Sequence, residues 1–195
     1  MQDAVFGQRL NLPRFGSTFV KLKNKGDRIR FVIADTPKFE TLHWVNDEKS
    51  LCTKYNTDDK AATCKNCAKW AELSDAGKKD EAKKYAPDVT FYYPVLNITD
   101  ENEPKASIFE TKPKVHWQID AYRREGVDVF ACLWIVERTE EEGNYFPLKN
   151  IGPIKLTTDQ KAILEKAKNI KLKATRESSS VVLDTTDEDR PDETP

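Results

Sequence analysis

Glycine, histidine and long apolar runs are what this chain has least of. Only seven of its 195 residues are Gly and two are His. A chain so poor in Gly offers no Gly-rich loop to cradle a nucleotide phosphate. No stretch approaches the ~20 apolar residues that cross a bilayer, so no membrane contact is expected. Met1-Gln2-Asp3-Ala4-Val5-Phe6 lacks the basic-then-apolar order of a secretory signal. The expectation is a cytoplasmic, unsecreted chain whose four cysteines stay reduced. Convergent catalytic groups are also missing. A zinc deaminase needs Glu two residues after its His and Pro before its C-x2-C, and those positions are Val45 and Thr63. The sequence therefore predicts no enzyme.

What is present is polar but foldable. Hydrophobic residues make up 38% and charged residues 33%, and four Trp, nine Phe and six Tyr supply one modest core. That length and composition fit one domain with an insertion or tail. The net charge of −1 hides an asymmetry. Residues 177–195 hold seven acids (Glu177, Asp184, Asp187, Glu188, Asp189, Asp192, Glu193) and one base, Arg190, which leaves 31 Lys and Arg against 26 Asp and Glu elsewhere. A mildly basic body with an acidic end can bind polyanions and also compete with them, or the end can be a solvated tail that aids solubility.

His43, Cys52, Cys64 and Cys67 form the most specific pattern, H-x8-C-x11-C-x2-C. The C-x2-C turn lets two thiolates reach one ion, and Cys52 and His43 stand at the two ends of an expected hairpin. Three sulfurs and one imidazole complete a tetrahedral shell for one structural Zn2+. Such a shell leaves no position for a catalytic water. A disulfide between Cys64 and Cys67 would close a very short loop. His116 and Cys132 are the alternatives for a fourth ligand, although Cys132 sits in an apolar strand as a buried thiol would.

Alternation and turn signals predict strands over Ser17–Lys23, Arg28–Ala34, Lys38–Val45, Val89–Ile98, Ala106–Glu110, Val129–Arg138 and Asn144–Ile151. Ile29, Phe31 and Ile33 are expected on a core face, with Arg28, Arg30 and Val32 opposite. Pro94 suggests an edge position or a bulge. Helices are predicted over Cys67–Leu73, Ala76–Ala86, Pro113–Glu125 and Thr157–Asn169, the last with Thr157 and Gln160 spaced as a capping box. The organisation expected is an N-terminal arm over 1–16, a core over 17–176 with a zinc subdomain at about 43–86, and a disordered acidic tail over 177–195. The fold class is mainly β with added helices (α+β), and the arrangement describes an OB-fold-like Greek-key barrel carrying an inserted zinc-binding subdomain. Another small barrel would give similar periodicity.

At these residues the chain resembles the helix-destabilising single-stranded DNA-binding proteins of T-even bacteriophages and their relatives. The ligands His43, Cys52, Cys64 and Cys67 match that family in type and order, with upstream gaps that differ by a few residues. Thr90-Phe91-Tyr92-Tyr93-Pro94-Val95-Leu96 is similar to its aromatic strand. Pro104 to Ile119, with Phe109, Lys112, Lys114 and Trp117, is similar to its basic strand-to-helix stretch. The family's basic, Ser/Thr-containing arm is not matched, since Met1 to Arg14 holds only Arg9 and Arg14. The resemblance implies a non-enzymatic protein of phage DNA replication, recombination and repair, acting in the cytoplasm of an infected bacterium. It binds single-stranded DNA without strong sequence preference, self-associates on it, and meets replication proteins through an acidic tail.

Aromatic rings stack on any unpaired base, and nearby Lys and Arg neutralise phosphates. The candidate cations are Arg28, Arg30, Lys38, Lys112, Lys114, Arg123 and Arg124. The candidate rings are Phe39, Trp44, Phe91, Tyr93, Phe109 and Tyr145. Strand aromatics also build cores, and alternation sends only one of Tyr92 and the Phe91/Tyr93 pair to a cleft. Asp184, Asp187, Glu188, Asp189, Asp192 and Glu193 are the candidate phosphate mimics of the tail. Two other readings remain: a zinc-stabilised module that binds a replication or transcription protein, and a metal-dependent nuclease, which would need clustered carboxylates.

Overall fold

A computed structural model describes residues 8–9, 19–46, 48–57, 59, 61–139, 146–172 and 183–184. Nine strands form one sheet. They are β1 (Gln8–Arg9), β2 (Phe19–Val20), β3 (Arg28–Ile33), β4 (Lys38–Val45), β5 (Glu48–Leu51), β6 (Asp88–Asn97), β7 (Lys105–Thr111), β8 (Cys132–Glu137) and β9 (Leu148–Pro153). Four helices accompany them: α1 (Lys65–Asp75), α2 (Lys79–Lys83), α3 (Pro113–Arg124) and α4 (Thr158–Lys168). A separate two-residue ladder joins β10 (Lys171–Leu172) to β11 (Leu183–Asp184). The chain is thus α+β. No described helix is long and apolar enough to cross a membrane.

The long strand β6 organises the sheet. One edge pairs antiparallel with β7 from Phe91 to Asn97. The other edge is shared, with Asp88–Tyr92 on β4 and Val95–Asn97 on β3. Partner numbers sum to 128 along β3 and to 130 along β4, so the chain gains two residues where β3 passes into β4. Pro94 sits at this handover, its carbonyl accepting the Ala34 N–H at 2.9 Å. In an antiparallel strand a residue's N–H and C=O point to the same neighbour. The donor that Pro94 lacks would therefore face Ala34, so that pair keeps one bond of two and the β3 ladder ends there. Pro94 is central rather than at an edge, and the bulge is on its partner.

The inner face carries the main core. Ile29, Phe31 and Ile33 of β3 meet Phe91, Tyr93 and Val95 of β6, Phe109 of β7, Val115 and Ile119 of α3, and Trp134 and Val136 of β8. These positions alternate along each strand and follow helical spacing in α3. Pro at the first turn starts α3. Gly126, at φ +86, accepts the left-handed geometry that ends it.

The outer face differs from expectation. Val32, paired with two arginines by alternation, is buried with Leu96, Ile98 and Leu133 under Ile163 and Leu164 of α4. α4 begins at the predicted capping box: the Thr157 hydroxyl accepts the Gln160 N–H and the Gln160 side chain accepts the Thr157 N–H. The face is a second small core, not an open basic surface.

The expected barrel does not close. β9 pairs with β8, and β7 pairs with β6 and with the parallel strand β2, but no described ladder joins β7 to β9. The Gln118 amide of α3 bridges part of that gap, donating to Phe146 O and accepting the Leu148 N–H, each at 3.3 Å. Of the expected Ser17–Lys23 strand, β2 is seen and Lys21–Lys23 fall outside it, while Ser17 and Thr18 lie outside the described residues; of the N-terminal arm only β1 is described, parallel to β4.

Candidate metal centre and basic groove

β4 and β5 form a hairpin in which His43 lies opposite Ser50, with Asn46 at φ +52 starting the two-residue turn. Asn tolerates that left-handed conformation better than other side chains with a Cβ. Period-2 geometry turns His43, Ser50 and the following Cys52 to one side of the hairpin. The Cys52 N–H donates to Thr41 O at 2.9 Å. The Asn56 side chain accepts from the Thr41 N–H at 2.8 Å and donates to Thr41 O at 2.5 Å, which pins the loop after Cys52 against β4. Cys64 is the N-cap of α1, and Cys67 follows one turn inside it.

These elements bring the four predicted ligands together. The His43 ring nitrogen and the sulfurs of Cys52, Cys64 and Cys67 all lie within 4.8 Å of one another. Nε2 of His43 is 3.4 Å from both Cys64 Sγ and Cys67 Sγ, and Cys52 Sγ is 3.4 Å from Cys67 Sγ. Zn–S bonds of about 2.3 Å and Zn–N bonds of about 2.0–2.1 Å put tetrahedral neighbours roughly 3.5–3.8 Å apart, close to this spacing. His43 is fully buried, and its Nδ1–H donates to the backbone carbonyl of Tyr85 at 2.9 Å. A carbonyl only accepts, so Nδ1 carries the proton and Nε2 turns its lone pair to the sulfurs.

Protonation adds a second test. Burial pushes the Cys64 thiol up, but the backbone N–H groups of Cys67 and Asn66 and the side chains of Cys52 and Cys67 outweigh it, and the net shift is downward. Cys67 goes the other way, up to about 12, through burial first and then through Cys52 and Cys64. Cys64 and Cys67, crowded into one site, are thus pushed in opposite directions. One divalent ion removes that conflict, so the donor set fits a single metal ion. The alternatives for the fourth ligand do not apply: Cys132 is buried in β8, and His116 lies in α3 with Nδ1 at 2.7 Å from the Tyr93 hydroxyl.

The expected base-stacking rings are mostly core. Phe91, Tyr93 and Phe109 are buried, and Phe91 is stacked on His116 with centroids 3.7 Å apart. Their faces are covered, so they support the sheet rather than receive bases. Phe39 is half-buried against Phe91. Trp44, on the outer face of the hairpin, stays 47% exposed and keeps an accessible ring. Tyr145 lies outside the described residues.

The expected cations are scattered. Arg30 pairs with Glu101, and Arg123 and Arg124 both bind the buried carboxylate of Asp120, at 2.8 and 2.6 Å. Arg28 is exposed at the start of β3, Lys38 is half-buried opposite Tyr92, and Lys114 is exposed on the first turn of α3. Lys112 is held by Asp88 at 2.6 and 2.8 Å and by Thr90 Oγ1 at 3.2 Å. Of the tail acids only Asp184 is described, opposite Lys171; Asp187, Glu188, Asp189, Asp192 and Glu193 lie outside the described residues.

A groove does open where β7 and β9 fail to pair. Lys21, Glu110, Lys112 and Arg138 supply its charges, and Phe109 and Phe146 its apolar lining. Arg138 lies over the Phe146 ring at 6.0 Å. Only Lys112 and Phe109 of this group were singled out by sequence. Arg138 and Phe146 flank the connection between the paired strands β8 and β9, but Lys21 lies far from both along the chain, and nothing in the spacing reveals that it meets them. Asn56 and the Tyr85 carbonyl were also missed, since a backbone acceptor leaves no mark in a sequence. No model of a known protein family matches the chain, and no curated protein does.

Proposed function

We propose that this chain is a non-enzymatic single-stranded DNA-binding protein of the phage replication type, built on an OB barrel and braced by one zinc ion. The observation that carries this reading is the groove, where Lys21, Lys112 and Arg138 surround Phe146 at the unpaired side of the sheet. Phosphates meet the cations there, and a base meets the ring. Each stack of that kind contributes about 1–3 kcal/mol without reading the base.

The strand order supports the fold assignment. β3 and β4, joined through the two-residue bulge, act as one bent first strand. β6, β7, β8 and β9 follow, with α3 between β7 and β8. An OB fold is a five-stranded, partly open Greek-key barrel that binds oligonucleotides on the face of its second and third strands and at its 1–2 and 4–5 loops. On that assignment the metal-bearing insertion is the 1–2 loop, and the segment between Arg138 and Phe146 is the 4–5 loop. Zinc bound by His43, Cys52, Cys64 and Cys67 would supply no chemistry to the nucleic acid. It would fix the hairpin that carries Trp44 at one end of the path. The acidic end competes with phosphate in the same reading.

Titration with oligo(dT) at two salt concentrations tests it through Trp fluorescence, because Trp44, Trp70 and Trp117 are exposed. Saturable quenching that weakens steeply with salt is expected. Absence of quenching in protein that retains its metal would remove the DNA reading and favour a protein-interaction module using Trp44 and Leu51.

A further inference from the structure

Lys21 and Lys112 of the groove are each held by a carboxylate. Lys21 is 2.6 Å from Glu110, and Lys112 is 2.6 Å from Asp88. Glu110 is in β7, opposite Tyr92 in register. Asp88 opens β6, three residues after the Tyr85 carbonyl that accepts the His43 proton. Both acids lie within long paired strands, whereas Lys21 lies just beyond the end of β2. The Glu110 side chain is 11% exposed and that of Lys21 47%, so the acid is set in the wall and the lysine reaches in from the rim.

We infer that Glu110 and Asp88 are built-in phosphate stand-ins, which hold Lys21 and Lys112 in binding position and must be displaced when a polyanion enters the groove. This rests on the nucleic-acid reading above. A lysine ammonium is a compact charge on a flexible stem, and it can change partners by a small stem rotation. Thr90 Oγ1, at 3.2 Å from Lys112 Nζ, keeps that ammonium near the groove after Asp88 lets go. Each pair has one end open to solvent, which weakens it, so exchange for a backbone with many phosphates is favourable. Carboxylate occupancy sets affinity below what three cations could deliver, and it keeps each lysine ordered in the absence of ligand.

Glu110→Gln and Asp88→Asn test the exchange, singly and combined, with oligo(dT) as probe. The combined variant should bind on the order of tenfold tighter at low salt. Its affinity should also fall more steeply with salt, by roughly one further ion per freed lysine. Asp80→Asn, which removes the partner of Lys83 on α2 outside the groove, is the control and should change little. Equal or weaker binding by folded Glu110→Gln, Asp88→Asn and combined proteins overturns the inference and leaves the DNA reading standing. If wild type binds no oligonucleotide, the DNA reading fails, and heparin elution decides the inference separately. Later elution of the groove variants than of Asp80→Asn supports it, and co-elution overturns it. Should Asp88→Asn fail to fold, Glu110→Gln alone carries the comparison, with its melting temperature as the check on folding.

Discussion

The sheet around β3, β6 and β8 and the segment between β4 and β6 are organised by different forces. Around β3, β6 and β8 the chain buries Phe31, Tyr93, Phe109 and Trp134 completely or nearly so. Between Asn46 and Pro87 the buried apolar residues are Cys52, Cys67, Leu73 and Ala82, while Leu51, Tyr55 and Trp70 stay exposed. Ordering each residue costs about 1–2 kcal/mol of backbone entropy, far more than two aliphatic side chains return on burial. The segment thus lacks the apolar surface to hold itself together. A metal ion held by its four converging ligands would take the place of a core, and the two regions should then fail under different insults.

The largest effect should come from removing the coordination. Cys67→Ser, or a strong chelator, should abolish stoichiometric metal binding. Coordination in small zinc domains contributes on the order of 10 kcal/mol, so its loss should unfold residues 48–86 locally. Hydrogen exchange should show that segment unprotected while β3, β6 and β8 remain protected. A fully protected segment without metal would remove the distinction between the regions.

The reverse experiment attacks the sheet and its inner core. Trp134 is fully buried, donates from Nε1 to Val129 O at 2.9 Å, and meets Tyr122 edge-on at 5.3 Å. Trp134→Ala should cost about 3–5 kcal/mol, read as a lower denaturant midpoint by circular dichroism. Metal stoichiometry in the folded fraction should stay unchanged. A variant that loses metal before the sheet melts would mean that the two regions fold as one.

The same division governs what was legible in the chain. The ligand set was readable because coordination chemistry leaves fixed residue types at short spacings. The inner core was readable from alternation in Arg28–Ala34 and Val89–Ile98. The groove was not, because Lys21, Arg138 and Phe146 meet only after the strands assemble. Phe91 and Phe109 were misjudged as base platforms for a related reason. Alternation assigns a residue to one of two faces, and only the assembled sheet reveals which face α3 fills. Val32 and Arg30 share a face for which alternation gives no hint of α4. The open side of the sheet was equally hidden, since Gln118 bridges to residues 28 and 30 positions away through backbone contacts.

A pH titration sharpens the contrast further, because acid acts on the inner core through His116, stacked on Phe91 of β6. Burial pushes its pKa down to about 4; the Asp120 carboxylate opposes this and Arg123 adds to it. In the unfolded chain the ring titrates near 6.5. Between these values the unfolded chain binds a proton that the folded chain refuses, so stability must fall as pH drops from 6.5 toward 4 and level off below. The loss should reach at most about 3 kcal/mol. Comparing wild type with His116→Gln isolates it from acid release of metal, which both proteins share. Equal pH slopes in the two would mean that the folded ring titrates normally.

The smallest effect expected is at α4, which belongs to neither the metal centre nor the inner core. Its first turn depends on the reciprocal hydrogen bonds of Thr157 and Gln160. Thr157→Ala removes the hydroxyl that accepts the Gln160 N–H and should cost about 1 kcal/mol. Because α4 covers Val32, Leu96 and Leu133 on the outer face of the sheet, the loss should appear in the same cooperative transition as Trp134→Ala. Protection of residues 48–86 should be untouched as long as metal is bound. If the cap variant instead loosened residues 48–86, the outer face would transmit strain across β6, and the separation of a burial-driven sheet from a segment held by its four ligands would be wrong at that strand.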